Sequence, residues 1–284
     1  MSNTAIGAAL AALRFWCARV TGDALPPLPE PVRRAAWLAA GMPAAAGVPD
    51  MDLTAPLQSV FTRVEQVDGS APRKVYVRRA ELALDEGLFP VAAAGEAAGD
   101  LPAAALRDAV AAIDARLPPE AQVEGVLYAL QRFAWCLPAP PAGVSLYDYA
   151  RTHAALAAAL AGDPDGDLFL LGGDLSGVQR FIYTLTAAGA TKQLRGRSFY
   201  LQLLTDACAR VLLERAGMPF TNLLYAGGGR FYLLLPSNID GMRAEAWVVD
   251  QRAVFDRFLL RRHQGELYLA LGGARKRRAG RLTL

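Results

Sequence analysis

The chain has 284 residues, is 53% hydrophobic and carries a formal net charge of +3 at neutral pH. That length suffices for a sizeable core and two domains, while so small a charge excess marks neither a nucleic-acid surface nor a membrane surface by itself. Cys17, Cys136 and Cys208 lie far apart with no CxxC pair, which excludes a disulfide framework and a zinc ribbon and fits buried thiols in a reducing cytoplasm.

Residues 5–20 form the first predicted helix, with no basic segment ahead of it and no uncharged run of the roughly 18 residues that a bilayer span needs. A cytoplasmic protein is expected. The proline-rich LPPLPEP and then AAGMPAAAGVP interrupt any period up to residue 50. Apolar residues return at helical spacing over 103–117 and 120–135, with Pro118 and Pro119 where proline suits a helix start, and again over 147–160. GDPDGD at 162–167 reads as a hinge.

Beyond the hinge the pattern changes. Leu168 to Leu171 is a short apolar run expected to be a buried strand that ends at GGD. A helix follows, with Tyr200, Leu203, Leu204, Ala207, Cys208 and Val211 on one face and Gly217 and Pro219 as its stop. NLLYA and FYLLLP flank a glycine-rich hairpin turn. A second helix places Val248, Phe255, Phe258 and Leu259 together, with Asn238 or Asp240 as its cap, before a strand at 266–271. The order βαββαβ predicts an α+β fold: a mostly helical N-terminal region followed by a ferredoxin-like domain. The expected division is 1–50, an N-terminal segment; 51–163, a helical domain; 164–273, the ferredoxin-like domain; and 274–284, a disordered basic tail.

Two glycine-rich segments meet in such a fold, GGDLSGVQ at 172–179 and AGGGR at 226–230. Glycines let backbone N–H groups approach a phosphate, and a helix start beside them adds partial positive charge. In nucleotide cyclases and polymerase-like palms of this topology the hairpin turn holds metal-binding carboxylates, whereas here it reads Gly227, Gly228, Gly229, Arg230. Asp174 reads equally as a single carboxylate at a strand end or as a helix N-cap, and GGGR as a ligand cradle or as a tight turn alone. Lys192, Arg195 and Arg197 surround Gly196, as phosphate or RNA contacts or as a solvated helix entry. The terminal Arg275, Lys276, Arg277, Arg278 and Arg281 support nonspecific RNA attraction at most. Neither His153 nor His263 precedes an aspartate, which excludes an HD-type nuclease, and no G-x-S-x-G elbow exists. Both histidines read as surface or satisfied core residues.

Three ordered blocks, GDLSGVQRFIY (173–183), LRGRSFYLQLL (194–204) and NLLYAGGGRFYLLLP (222–236), resemble the first palm domain of the large subunit of type III-A CRISPR (Csm) effector complexes. PLQSVFTRV (56–64), LFP (88–90) and WCLPAPPAGVSLYDYARTHAALAAAL (135–160) are similar to the helical stretch before that palm. The resemblance implies a subunit of an antiviral, crRNA-guided complex whose two palms together bind ATP with Mg²⁺ and make cyclic oligoadenylate. It implies that Asp174, Ser176, Gly177 and the turn Gly227, Gly228, Gly229 and Arg230 line the first-palm half of that pocket, with no catalytic or metal-binding residue in this chain. The partners it implies are other Csm subunits, crRNA and target RNA through the complex, and a second palm; no membrane is implied. The chain departs from the family by lacking an HD dipeptide in residues 1–50, a GGDD turn and the zinc cysteines, and by carrying Tyr149 where histidine is expected. The expectation is a truncated or split large subunit, not catalytic alone, that binds ATP only with a second palm and exposes apolar surface where that palm packs. The alternative is a structural or interaction fragment that binds no nucleotide.

Overall fold

Alanine and leucine give up little side-chain freedom in a helix, and they dominate the first element, α1 (Asn3–Thr21). The computed structural model of the chain describes residues 3–43, 45, 47–63, 73–141, 143–162, 166–183 and 190–276. In it α1 is buried on nearly every side, from Ala5 through Leu13 and Trp16 to Val20, as befits a core helix. Around it stand α2 (Glu30–Ala39), α3 (Ala103–Arg116), α4 (Pro119–Ala134) and α5 (Leu146–Leu160). Ser145 caps α5 by accepting from the Asp148 N–H at 3.1 Å. The sequence reading missed α2 because it took LPPLPEP as a breaker. Pro31 instead occupies the first turn, where its absent N–H leaves no helical bond unmade.

The buried ring groups of this bundle are satisfied one by one. The Trp16 indole donates to Nδ1 of His153 at 2.8 Å, and Nε2 of His153 lies 2.7 Å from the Val32 carbonyl, to which it donates. The Tyr149 hydroxyl donates to the Ala36 carbonyl at 2.8 Å. Tyr149, the departure from the family pattern, thus ties α5 to α2, and burial pushes its phenol above the usual tyrosine range. Burial also holds His153 down to about 4 and raises the thiols of Cys17 and Cys208 to about 12; all three cysteines are free and buried, as expected.

The second half contains β1 (Leu168–Ser176), α6 (Val178–Tyr183), α7 (Ala190–Arg215), β2 (Leu223–Gly227), β3 (Arg230–Pro236), a small hairpin of β4 (Asn238–Ile239) and β5 (Met242–Arg243), α8 (Ala244–His263) and β6 (Tyr268–Lys276). The sheet order is β2-β3-β1-β6, antiparallel throughout, with α7 and α8 packed on it. This is the ferredoxin-like arrangement, following a helical region, that the periodicity predicts. Phe169, Leu171, Leu175, Phe231, Leu233 and Leu235 alternate onto the helix-covered face and are almost wholly buried. Burial of each is worth about 1.5–3 kcal/mol. Most of the intervening residues point to an open face, although Leu234 is buried.

Several boundaries differ from expectation. β1 does not end at GGD but runs to Ser176, because the Gly173 site lies beneath the Phe231 ring and the strand continues past it. β6 runs past Leu271 to Lys276, where Lys276 pairs with Leu168, so the start of the expected tail is strand; the rest of the tail, from 277, lies outside the described residues. On α7 the buried residues include Leu201, Leu204, Thr205, Cys208, Ala209, Leu212 and Leu213, whereas Leu203, Ala207 and Val211 face outward, a shift of the predicted stripe. On α8, Val248, Phe255 and Leu259 are buried but Phe258 is exposed. Neither Asn238 nor Asp240 caps α8: Asn238 lies in β4, Asp240 takes the left-handed turn to β5 at φ 47°, and the cap position is Arg243 with no side-chain bond.

The halves share one apolar cluster. Asn222, just before β2, is buried and donates to the Ala155 carbonyl of α5 at 3.0 Å and to the Leu234 carbonyl of β3 at 2.8 Å. Arg151 of α5 donates to the Leu223 carbonyl, and Arg210 of α7 pairs with Glu124 of α4 at 2.7 Å. Among the described residues no helix is long and apolar enough to cross a membrane.

Candidate nucleotide face of the sheet

The β2–β3 turn has both central residues at positive φ, Gly228 at 59° and Gly229 at 84°, the backbone of a tight hairpin whose twist matches its strands. Gly227 through Arg230 therefore project as a narrow tip. The tip is clamped to the end of β1, since the Leu175 N–H donates to the Gly229 carbonyl at 2.7 Å. A side chain at Gly228 would meet nothing within 4 Å, so one edge of the tip is bare peptide open to solvent.

Asp174 lies opposite Arg230 in the strand register, and their side chains pair at 3.2 Å, Nε to Oδ1, on the open face. Asp174 is consequently a mid-strand residue and not the helix cap considered above. The pair is largely solvated, and an exposed ion pair of this kind is worth at most about 1 kcal/mol. A phosphate can therefore draw the Arg230 guanidinium away at little cost. Ser176 ends β1 on the same open face as Asp174, and Gly177 alone joins it to α6. Gly177 sits at φ 88°, and an added Cβ would fall 1.9 Å from the Glu266 carbonyl oxygen, so only glycine fits. The helix start expected here is only the six-residue α6, so the cradle rests on the hairpin tip and not on a helix dipole.

Asp174, Ser176, Gly177, Gly227, Gly228, Gly229 and Arg230 are thus brought to one end of the sheet. The other expected group is not with them. Lys192, Arg195 and Arg197 open α7 on the helix layer; Arg197 donates to the Phe181 carbonyl and lies 5.1 Å from the Phe181 ring centroid, a structural role joining α6 to α7. Lys192 and Arg195 are exposed. Among the described residues no group of three or more His, Cys, Asp or Glu side chains is placed to hold a metal ion.

Two tyrosines that the sequence reading passed over share the open face. Tyr225 and Tyr232 are paired across β2 and β3, with ring centroids 6.1 Å apart, and stay 52% and 44% exposed. Beside them Gly172 pairs with Gly272 across β1 and β6, leaving a flat strip flanked by the Tyr232 ring. The signal was available in sequence: Tyr232 stands two residues from Arg230 on a strand, hence on the same face.

Residues 167–279 match the family described as Csm1 subunit domain B. Among curated proteins the chain is similar to the CRISPR system single-strand-specific deoxyribonuclease Cas10/Csm1 (subtype III-A) of Methanocaldococcus jannaschii, 33% identical over 148 residues, covering 37% of this chain and 18% of that protein. The corresponding protein of Mycobacterium tuberculosis is 43% identical over 99 residues, covering 35% of this chain and 12% of that protein. Among solved structures, a Csm1–Csm4 cassette in complex with AMPPNP superposes with a TM-score of 0.63 at 25% identity, over 86% of this chain and 32% of that one. A Csm1–Csm4 cassette in complex with pppApApA superposes with a TM-score of 0.66 at 20% identity over 95% of this chain and 44% of that one, which shows the shared fold. The chain thus spans less than a fifth of these curated relatives and under half of the solved chains.

Proposed function

We infer that this chain, similar over its helical and palm halves to the large subunit of the type III-A CRISPR (Csm) effector complex, supplies the first-palm half of an ATP and oligoadenylate site. The observation that carries the reading is the clamped glycine tip of β2–β3, with bare peptide N–H groups beside Ser176 and a displaceable Arg230 on an otherwise open sheet face. Solved relatives in complex with AMPPNP, with one ATP and with cyclic oligoadenylates support the class of ligand. The sequence holds no GGDD turn, so the metal-binding carboxylates come from a second palm facing this one. Mg²⁺ would be held there, and the chain's own residues bind and orient the nucleotide without catalysing its transfer. Exposed Leu170, Tyr232 and Tyr268 on the open face provide apolar surface for that palm. Solved relatives in complex with Csm4 support a docking role among Csm subunits, and through them proximity to crRNA and target RNA.

The test is calorimetric titration of ATP with Mg²⁺ into the chain alone and mixed with a separately purified GGDD palm of a related subunit. Binding that appears or tightens with the added palm is expected, and Arg230→Ala weakens it about tenfold, the worth of one charged hydrogen bond to phosphate. Because the Asp174–Arg230 pair adds little to folding, thermal melts of the variant should match the wild type. No heat with or without the added palm, from a cooperatively melting chain, would leave the structural-fragment reading in its place.

A further inference from the structure

We propose that the outward face of α8 binds single-stranded nucleic acid, at a site separate from the nucleotide face of the sheet. α8 turns Trp247, Val248, Gln251, Phe255 and Leu259 inward. On its other side Val254, Arg257, Phe258, Arg261 and Arg262 line a concavity of about 470 Å³. Phe258, 53% exposed, lies among three guanidinium groups that no carboxylate pairs with among the described residues. Other arginines around the same helix are engaged: Arg252 donates to the Leu271 carbonyl, and Arg243 and Arg275 pair with Glu245.

The blander account is that Arg261 and Arg262 complement the carbonyl end of the helix. It explains neither Arg257, a turn earlier, nor a phenyl ring left in solvent among cations. An exposed ring flanked by Arg forks offers a stacking surface for a base with donors for the phosphates on either side, a combination that tolerates any sequence. The surface continues from α8 to α7: the Tyr200 hydroxyl lies 2.9 Å from Nε2 of His263, whose ring centroid is 5.9 Å from that of Phe181. Lys192 and Arg195, both exposed, precede Tyr200 on the same helix, α7. Of the carboxylates nearest in sequence, Asp256 projects roughly 200° around the helix from Phe258 and Glu266 follows the helix end, while Asp250 stands on the groove side about one turn before Val254 and about two turns before Phe258. The charge points to a polyanion, and the ring favours a nucleic acid over an acidic protein.

The test is fluorescence anisotropy of the full chain with a labelled fifteen-nucleotide oligouridylate between about 50 and 200 mM salt, where phosphate contacts are most visible. Binding is expected to weaken about tenfold or more in Arg257→Gln/Arg261→Gln, with the slope of log K against log salt falling by about 1.4, two lost contacts at about 0.7 each. Phe258→Ala should weaken it by roughly five- to a hundredfold with the salt slope kept, since stacking is lost and charge is not. All these side chains are exposed, so melting temperatures should hold, and the ATP titration above should be unchanged, which keeps this test independent of the palm reading. Absence of binding at the lowest salt, binding that neither variant alters, or displacement by polyglutamate as effective as by unlabelled RNA would overturn the proposal.

Discussion

Replacing Gly173 by alanine should strongly destabilise the palm. The added Cβ would lie 2.1 Å from Cζ of Phe231, with two further ring atoms of Phe231 within 2.6 Å. Phe231 is fully buried and central in the sheet, so its ring has nowhere to go, and overpacking of this severity costs at least about 3 kcal/mol against a total stability of only about 5–15. Gly177→Ala should be worse, since the obstacle there is a backbone carbonyl and the φ of 88° is itself unfavourable to alanine. The matched control is Gly272, whose Cβ would meet nothing within 4 Å and whose φ is not positive. Gly272→Ala should be neutral or stabilise by up to about 1 kcal/mol. Urea unfolding of the three variants checks the ranking, and a Gly173→Ala protein as stable as Gly272→Ala would contradict the packing described.

Acid should destabilise the helical half through His153. Buried between Trp16 and the Val32 carbonyl, it has a folded pKa near 4 against an ordinary 6.5. Between those values the unfolded chain takes up a proton that the folded chain refuses, so stability falls as pH drops from about 6.5 toward 4, by up to about 3 kcal/mol, and is unaffected above 6.5. His263, also lowered by burial, adds a smaller change of the same sign. Carboxylates held down by arginine or hydroxyl partners, such as Asp23, Asp52 and Glu124, lose their contribution at lower pH still. The slope of the urea midpoint between pH 5 and 6.5 should therefore shrink in His153→Gln, although that variant starts less stable. An unchanged slope would show that His153 is charged in the folded protein.

The order of elements was legible because strand and helix periods differ and because glycine and proline mark the turns: the β2–β3 hairpin and the stop of α7 after Arg215 stand where GGGR and Gly217 with Pro219 put them. Strand ends were not legible. Gly172-Gly173 reads as a turn and Gly272-Gly273 as the point where the last strand gives way to the tail, yet in each pair one glycine is a cavity for a ring, that of Phe231 or Phe169, and such a requirement comes from a strand distant in sequence or from the partner strand. The stripe of α7 was misread by one position because Leu203 and Val211 are apolar and exposed, and periodicity alone does not say which apolar side meets the sheet. At the candidate site, the glycines and Arg230 are singled out by the sequence as expected ligand contacts, whereas the Asp174–Arg230 pairing followed only from the register of β1 with β3.

The most direct measurement of the nucleotide reading is photolabelling with 8-azido-ATP, in the presence of the GGDD palm, followed by peptide mapping. Label on peptides spanning 168–183 and 222–236, displaced by excess ATP, is the predicted result. Label confined to the helical half, or undiminished by ATP, would contradict a nucleotide site on this face of the palm.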